Sequence, residues 1–317
     1  MKKYNIISIG SCVRDIVFYT DAAEFIKNPK NDPTKIYLLG FEYGAKIKSD
    51  EVYYSFGGGA ANTAVNFAGL GLQAGIMAAI GNDGFGQEII QRLKNKKVST
   101  DLLQIKKDNH TGLSFLVVDK KSNEHFILVS YGANNFLEFN KQVKTDWYYV
   151  SSLGGKNWPQ IMQKIIKTKR KIAWNPGATQ LRAGFKALRK YLPHVEVLIL
   201  NKDEAIELCL SAKKKGQVIK MLKIIHQWGP KKVVITDGEK GAYVYDGKKV
   251  YFDQPHHKKP KDTTGAGDCF GSTFITGLIK TKGNIKTAMR LAMINTSSLV
   301  FTPGAQEGLL NWRQLNK

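Results

Sequence analysis

Cysteine is scarce in this 317-residue chain, which contains only Cys12, Cys209 and Cys269. The three residues are odd in number, far apart and outside any Cys-x-x-Cys spacing. This argues against a disulfide framework and against a zinc site. We expect three small buried thiols, in agreement with a cytoplasmic location.

A long apolar run is also missing. Two lysines precede the apolar segment at the N-terminus, as in a signal peptide, but Arg14 and Asp15 interrupt it and no convincing cleavage site follows. An opening β-strand is the interpretation that we prefer. We therefore expect a cytoplasmic protein with no membrane partner.

Acidic residues are few, with 26 Asp and Glu against 48 Lys and Arg and a formal net charge of +22. A field of this sign attracts nucleic acids, membrane surfaces and phosphorylated substrates. The lysines are scattered, however, and short clusters such as residues 213–215 have no interleaved aromatic residues. The pattern favours a solvated surface, so no specific nucleic-acid partner is expected.

Short apolar runs alternate with amphipathic stretches along most of the chain. The runs predict strands near 4–10, 74–81, 146–151, 171–175, 196–201 and 231–238, and the stretches between them predict helices near 86–96, 158–169, 203–210 and 216–228. This alternation is typical of an α/β fold with a doubly wound, mostly parallel sheet flanked by helices, here in one domain over residues 1–317. Ligands of such sheets bind beyond the carboxyl ends of the strands.

Two segments, approximately 16–56 and 111–131, break this rhythm. Both are rich in β-forming residues, and the second has the pattern of a hairpin that turns near 119–125. We expect them to form a small projecting β-sheet. Beside a ligand cleft, such a sheet would act as a lid.

The stretch DTTGAGDCF, residues 262–270, places small residues between two aspartates at an expected helix start. If the helix begins at Gly265, its first amides lack intrahelical partners and carry the positive end of the helix dipole. Gly265, Ala266 and Gly267 would then form an anion hole that a ligand can approach closely. Asp268 would serve as a base for an attacking hydroxyl during phosphoryl transfer. Alternatively, Asp268 only caps amides in a tight turn.

A second stretch, GGGAANTAVNFAGLG at 57–71, places three glycines before a predicted helix. It is not a Walker loop, since no GK[ST] follows, and it lacks G-x-G-x-x-G. The glycines would permit a hinge and close contact with a small ligand, and Asn62 offers both a donor and an acceptor to hydroxyls. The simpler alternative is a turn before a helix.

Together and in this order, the two stretches resemble the signatures of the ribokinase family, also called the PfkB carbohydrate kinases. The first signature runs from Gly57 and Gly58 through Asn62 and Ala64 to Gly71 and Gly81, and the second is DTTGAGD. Weaker matches are GSCVRD at 10–15, GNDGFG at 81–86, YGAN at 131–134, NKDE at 201–204, TDGEKGAYVYD at 236–246 and TPGA at 302–305. The resemblance extends over nearly the whole chain and implies a ribokinase-like fold.

The resemblance also implies roles around the phosphate acceptor. Asp268 matches the catalytic base of the family, and 265–267 match its anion hole. Asp15 and Asn62 match residues that bind substrate hydroxyls. The glycines at 57 and 58 match the hinge under the lid.

Other matched positions concern the nucleotide and metal ions. Asn201 and Glu204 match the family's N-x-x-E, associated with the ATP phosphates and Mg²⁺; otherwise a helix begins at Asp203 with ordinary surface acids. Thr236, Gly238 and Gly241 match a loop that contacts the nucleotide. On the helix at 284–299, Asn295 matches an adenine contact; otherwise it is a capped or solvated polar residue. Asp262 and Thr264 resemble positions that hold a monovalent cation, K⁺, in some members.

Departures from the family pattern concern the acceptor pocket. Lysine usually follows the glycine pair, and this chain has Gly59; glutamate usually follows the strand at 146–151, and this chain has Ser151 and Ser152. An uncharged, roomier pocket is expected, which disfavours a phosphorylated sugar. Arg14 and Lys27 lie near the expected lid and could bind the phosphate of a phosphorylated sugar; the alternative is that both are surface charges.

The implied function is transfer of the γ-phosphoryl group of ATP to a hydroxyl of a small sugar or sugar-like substrate. A nucleoside kinase of adenosine type is the first alternative. A non-catalytic, regulatory nucleotide- or sugar-binding protein is the second. Since lid sheets can pair across a two-fold axis, a homodimer is a reasonable assembly.

Overall fold

The computed structural model describes residues 3–29, 37–49, 51–122, 125–255 and 260–316. Within these ranges the strands are β1 (Lys3–Ile9), β2 (Val13–Thr20), β3 (Glu24–Lys27), β4 (Tyr37–Gly40), β5 (Glu51–Gly57), β6 (Ala74–Met77), β7 (Ala79–Gly81), β8 (Gln104–Lys106), β9 (Gly112–Asp119), β10 (His125–Ser130), β11 (Lys144–Val150), β12 (Lys171–Trp174), β13 (Val197–Asn201), β14 (Val233–Thr236), β15 (Ala242–Tyr245) and β16 (Val250–Asp253). The helices are α1 (Gly59–Gly69), α2 (Gly84–Asn95), α3 (Trp158–Lys167), α4 (Ala178–Leu188), α5 (Lys202–Ser211), α6 (Val218–Gln227), α7 (Ala266–Lys280), α8 (Ile285–Leu299) and α9 (Trp312–Leu315).

The main sheet has eight strands in the order β16-β15-β14-β13-β12-β11-β1-β6. From β14 to β6 every pairing is parallel, whereas β15 and β16 form an antiparallel hairpin at one edge. The parallel strands are mostly apolar and buried, as expected of strands covered on both faces. The α/β class and the mostly parallel sheet predicted from the sequence are confirmed.

Helices cover both faces of this sheet. Helices α3, α4, α5 and α6 pack with Tyr148 and Trp174 in one apolar cluster. Helices α1, α7 and α8 pack with Tyr149 on the other face. Since neighbouring strand residues point to opposite faces, Tyr148 and Tyr149 belong to different layers. The layers bring the start of α7 close to the start of α1, beyond the carboxyl end of β1.

A second sheet, which we call the lid sheet, contains β10-β9-β2-β5. The predicted hairpin is confirmed, since β9 and β10 pair antiparallel. A two-stranded ribbon, β3-β4, lies within the 16–56 segment, of which residues 30–36 and 50 lie outside the described ranges. Strand β2 continues almost directly from β1, so the lid sheet is attached beside the carboxyl end of the main sheet.

Some details differ from the sequence predictions. Segment 74–81 forms two strands, β6 and β7, rather than one. Helix α4 and the β15–β16 hairpin were not predicted, because a glycine interrupts the apolar pattern of α4 and the hairpin strands are only four residues long. All three cysteine thiols are free and buried. Among the described residues, no helix is both long and apolar enough to cross a bilayer.

Candidate active site

Helix α7 begins inside the DTTGAGD motif. Its N-cap, Gly265, has a φ of 76°, a left-handed conformation that glycine adopts without steric cost. The Ala266 amide donates to the Thr263 carbonyl at 3.1 Å, whereas the amides of Gly265, Gly267 and Asp268 form no hydrogen bond within the described residues. These three N–H groups remain available to an anion at the positive end of the helix dipole.

Asp268 lies in the first turn of α7 and is partly exposed. Its Oδ2 accepts a hydrogen bond from Asn62 Nδ2 at 2.9 Å. Burial raises the pKa of Asp268, and the hydrogen bond from Asn62 offsets part of that rise. Within the described residues the carboxylate accepts no hydrogen bond from a backbone amide, so it does not cap its own helix. It is therefore free to accept a proton.

Asn62 connects α1 with α7 and is 6% exposed. While its Nδ2 donates to Asp268, its Oδ1 accepts a hydrogen bond from Gln306 Nε2 at 3.0 Å. Gln306, which directly follows the matched TPGA segment, is not among the site residues predicted from the sequence. The only feature of the sequence that could have indicated this residue is its position, since it is a polar residue directly after a motif of small residues.

Asp15 lies on β2 opposite Ser55 of β5, and its carboxylate lies against Gly57, the first glycine of the 57–71 stretch. A Cβ atom on Gly57 would lie 2.1 Å from Asp15 Oδ2, so only glycine permits this contact. Burial raises the pKa of Asp15 to about 7; Asp262 adds to the rise, while Ser114 and Arg14 lower it. The next glycine, Gly58, has a φ of 92° and begins α1. This glycine pair joins the lid sheet to the main body.

Of the two basic residues near the lid, Arg14 lies on the opposite face of β2 from Asp15. Arg14 Nη2 lies 3.1 Å from Glu88 Oε2 on α2, and its guanidinium lies 4.2 Å from the centre of the Phe56 ring. Lys27 is exposed on β3. Because side chains alternate along β2, Arg14 points away from the Asp15 face. The alternative that Arg14 reaches a substrate phosphate is not supported by this geometry.

A cavity of about 810 Å³ reaches the start of α7 from β14 and β15. Its lining includes Thr236, Gly238 and Gly241 and, at the start of α7, Ala266 and Gly267. The remaining lining includes apolar residues of α8 and the loops beside it: Met293, Val300, Phe301 and Pro255. Apolar lining residues suit the base of a nucleotide, and the available amides at the start of α7 suit its phosphates.

Asn201 and Glu204 form a capping box at the start of α5. Asn201 Oδ1 accepts from the Glu204 amide, and Glu204 Oε2 accepts from the Asn201 amide, both at 2.8 Å. The helix therefore begins at Lys202 rather than at Asp203. Burial raises the pKa of Glu204, with further contributions from nearby carboxylates that include Asp268.

This capping box leaves Glu204 only one carboxylate oxygen for a metal ion. Within the described residues no group of three or more His, Cys, Asp or Glu side chains could hold a metal. Mg²⁺ commonly uses one or two carboxylates and otherwise water and phosphate oxygens. The residues present therefore fit a Mg²⁺ ion held mainly by a nucleotide, but not a protein cage.

Asn295 does not have the position expected of an adenine contact. It is fully buried, its Nδ2 donates to Asn66 Oδ1 and Thr273 Oγ1, and its Oδ1 accepts from the Leu310 amide. The prediction of an adenine contact is wrong, because this side chain faces α1 and α7. Other residues of α8, Met293, Thr296 and Ser297, line the cavity instead.

Asp262 connects two loops beside the start of α7. Its Oδ1 accepts from the Thr264 amide and its Oδ2 from the Gly304 amide, both at 2.8 Å. Both carboxylate oxygens are thus already engaged with backbone. A monovalent cation at Asp262 and Thr264 stays a prediction.

The position where the family has lysine is tightly packed. A Cβ atom on Gly59 would lie 2.7 Å from both Cβ and Oγ of Ser151 and 3.4 Å from Asp268 Oδ1. Gly59 and Ser151 are thus neighbours and fit each other. The wall beside Asp268 is uncharged, as expected, but Ser151 occupies the space that the glycine leaves.

Comparison with known proteins agrees with this arrangement. A ribokinase from Bacillus subtilis is 28% identical to the chain, over 96% of each sequence. Among solved structures, Arabidopsis thaliana ribokinase complexed with ribose and ATP has a TM-score of 0.81 at 18% identity, with 99% of this chain and 98% of that chain covered. A Burkholderia thailandensis nucleoside kinase in complex with inosine also has a TM-score of 0.81, at 17% identity, with 98% and 96% covered.

A protein-family model, pfkB family carbohydrate kinase, matches residues 5–312. The match includes both glycine-rich stretches, the lid sheet and the nucleotide-sized cavity. The chain belongs to the pfkB family and is an ATP-dependent carbohydrate kinase.

Proposed function

We propose that the protein transfers the γ-phosphoryl group of ATP to a hydroxyl of a small sugar or sugar-like substrate. The observation that carries the proposal is the position of Asp268. Asp268 directly follows Ala266 and Gly267, which line the 810 Å³ cavity beside the available amides of α7. On its other side it contacts Asn62, towards the lid sheet. The nucleotide and the acceptor would thus meet at this carboxylate.

Asp268 acts as general base in the proposed reaction. It accepts the proton of the acceptor hydroxyl while a bond forms between that oxygen and the γ-phosphorus. The bond from the γ-phosphorus to the β,γ-bridging oxygen breaks, which releases ADP. The amides of Gly265 and Gly267 stabilise the charge on the transferred group.

The acceptor would lie under the lid sheet, between Asp15 and Asn62. Asp15 accepts hydrogen bonds from its hydroxyls, and the free N–H and lone pair of Asn62 are available to it. The glycine pair at 57 and 58 lets the lid sheet close and exclude water. Mg²⁺, held through the nucleotide and Glu204, would neutralise phosphate charge; a K⁺ ion beside Asp262 and Thr264 is part of the proposal.

A nucleoside acceptor is the second candidate, and an aromatic pair favours it. Tyr19 and Tyr53 share the face of the lid sheet that carries Asp15, and their ring centres lie 5.7 Å apart at 78°. Burial and the field of Asp262, in the loop before α7, raise the pKa of Tyr19. Such rings can pack against a nucleobase.

ADP release from Mg·ATP with free sugars, sugar phosphates and nucleosides tests the proposal. A free sugar that stimulates release, with loss of the stimulation in Asp268→Asn, supports it. Stimulation by adenosine or inosine alone supports the second candidate. ATP binding without stimulation by any acceptor favours the regulatory alternative.

Acceptor binding should depend on the ionisation of Asp15. Because burial raises its pKa to about 7, the carboxylate is increasingly protonated below that pH and accepts fewer hydrogen bonds. The acceptor KM should therefore rise as the pH falls below about 7. In Asp15→Asn, KM should be about tenfold higher and nearly independent of pH. Initial rates from pH 5.5 to 8.5 measure both.

Asp21→Asn is the matched control, since Asp21 is exposed at the end of β2. It should reproduce the wild-type KM and its pH dependence. An Asp15→Asn enzyme with wild-type KM at every pH contradicts the assignment of Asp15 to the acceptor.

We also propose that the lid sheet mediates a homodimer. Strand β10 lies at its edge, and Ile127, Leu128 and Val129 are 46%, 60% and 48% exposed. Exposed apolar edges of this kind tend to pair with another strand. Sedimentation equilibrium should show a dimer that Leu128→Lys weakens; a wild-type monomer at micromolar concentration contradicts this part of the proposal.

A further inference from the structure

A chain of side-chain hydrogen bonds runs from helix α2 to the proposed base. Arg92 Nε lies 3.5 Å from Gln306 Oε1, Gln306 Nε2 lies 3.0 Å from Asn62 Oδ1, and Asn62 Nδ2 lies 2.9 Å from Asp268 Oδ2. Gln306 and Asn62 are 4% and 6% exposed. Two amide side chains thus connect a guanidinium with a carboxylate in a nearly dry environment.

The two residues at the ends of this chain, Arg92 and Asp268, determine which atom donates and which accepts in each hydrogen bond. A guanidinium can only donate, and an ionised carboxylate can only accept. Each amide between them has a donating and an accepting end, and either end can in principle face either neighbour. With Arg92 donating to Gln306 Oε1, the donor end of Gln306 faces Asn62. Asn62 then presents its oxygen to Gln306 and its nitrogen to Asp268.

Arg92 is itself held from two sides. It forms an ion pair with Glu307, the residue after Gln306. Its guanidinium lies 5.6 Å from the ring centre of Phe56, which is on the lid strand β5 directly before the glycine pair. The ring of Phe56 also contacts Arg14, which is paired with Glu88 of α2. These contacts hold Arg92 of α2, the first residue of the hydrogen-bonded chain, in position beside the lid sheet.

We infer that Gln306 is a positioning residue, which fixes the amide of Asn62 in the orientation that donates to Asp268. This inference rests on the proposed role of Asp268 as the base. Within the described residues Gln306 forms no hydrogen bond with Asp268 and is not among the residues that line the cavity. It acts by preventing rotation of the Asn62 amide. In the rotated form the Asn62 nitrogen would face the nitrogen of Gln306, and the Asn62 oxygen would face the carboxylate of Asp268.

The rotated form would harm the reaction in two ways. Asn62 Oδ1 would face Asp268 Oδ2, and the repulsion would displace the carboxylate from the acceptor hydroxyl. Loss of the donated hydrogen bond would also raise the pKa of Asp268, since that bond stabilises the ionised form. The base would then be protonated over a wider pH range.

Gln306→Glu and Gln306→Leu separate positioning from packing. Both have nearly the volume of glutamine. An ionised glutamate paired with Arg92 can only accept hydrogen bonds, so it favours the rotated orientation of the Asn62 amide. Leucine forms no hydrogen bond and favours neither orientation of that amide. We expect kcat to fall about a hundredfold in Gln306→Glu and about tenfold in Gln306→Leu, with the acid limb of the rate profile at higher pH in both.

A packing role gives a different result. The leucine variant, which leaves Asn62 Oδ1 and Arg92 Nε unpaired, would then be the more damaged one, and the acid limb would not move. Thermal unfolding of both variants shows whether they are folded. Gln91→Glu makes the same chemical change on the exposed side of α2 and should match the wild type.

Equal activity of Gln306→Glu and the wild type overturns the inference. So does a larger loss in the leucine variant with an unmoved acid limb. Asp268→Asn, measured in the same series, distinguishes failure of the proposed function from failure of this inference alone. If it retains turnover, the proposed function fails; if it is inactive while Gln306→Glu is unaffected, only the positioning role of Gln306 fails.

Discussion

Asp268→Asn should lower kcat about a thousandfold, as expected when a general base is removed. Asparagine has the shape of aspartate and can still accept the hydrogen bond from Asn62, so the fold should be unchanged. It cannot take the hydroxyl proton at neutral pH. ADP release with a saturating acceptor measures the loss.

ATP binding should survive the same substitution, because Asp268 is not among the residues that line the 810 Å³ cavity. Calorimetric titration with ATP measures this separately from turnover. Asp146→Asn is the matched control, since Asp146 is half exposed at the opposite end of the main sheet, beside Lys3. Turnover within about threefold of the wild type in Asp268→Asn would refute the base.

The start of α7 could be predicted because its signals are local. Glycine, alanine and glycine before an apolar run determine both the left-handed N-cap and the available amides, and both are properties of consecutive residues. The parallel strands were predicted for the same reason, since continuous apolar runs indicate burial on both faces. The lid hairpin follows from a polar turn between two alternating segments.

Contacts between distant residues could not be predicted in this way. Gln306 and Asn62 are 244 residues apart, and a glutamine after a turn does not indicate what it bonds. Asn295 shows the opposite error: its helix lines the cavity, but one position along a helix changes the direction of a side chain by about 100°. Asn295 therefore points into the layer between α1 and α7.

The space beside Gly59 was misjudged for a related reason. A missing side chain suggests room, but interiors are close-packed and a neighbour occupies the gap. Here that neighbour is Ser151, which lies at the end of β11. Gly59 and Ser151 belong to different parts of the chain. Their fit therefore depends on the fold and cannot be read from either sequence motif. A substrate group at this wall would therefore meet a steric limit rather than a charge.

Gly265→Ala should impair both stability and turnover. A non-glycine residue in the left-handed conformation costs about 1 to 2 kcal/mol. The new Cβ would also lie 2.6 Å from Ala305 Cβ and 2.9 Å from Ala305 Cα, so the loop or the start of α7 must move. Because the amides of 265–268 would move with it, kcat should fall about a hundredfold. Chemical denaturation and ADP release measure the two effects.

The comparison with Gly84→Ala isolates the cause. Gly84 also lies at the start of a helix, α2, but its φ is not left-handed and a Cβ there would meet no atom within 4 Å. Alanine should therefore leave turnover unchanged and keep or slightly raise stability. If Gly265→Ala is destabilised yet turns over normally, the amides at the start of α7 do not stabilise the transferred group. If both variants behave as the wild type, the left-handed N-cap has no part in the site. Loss of kcat in Gly265→Ala at temperatures where the variant remains folded would instead tie catalysis to the position of these few backbone N–H groups.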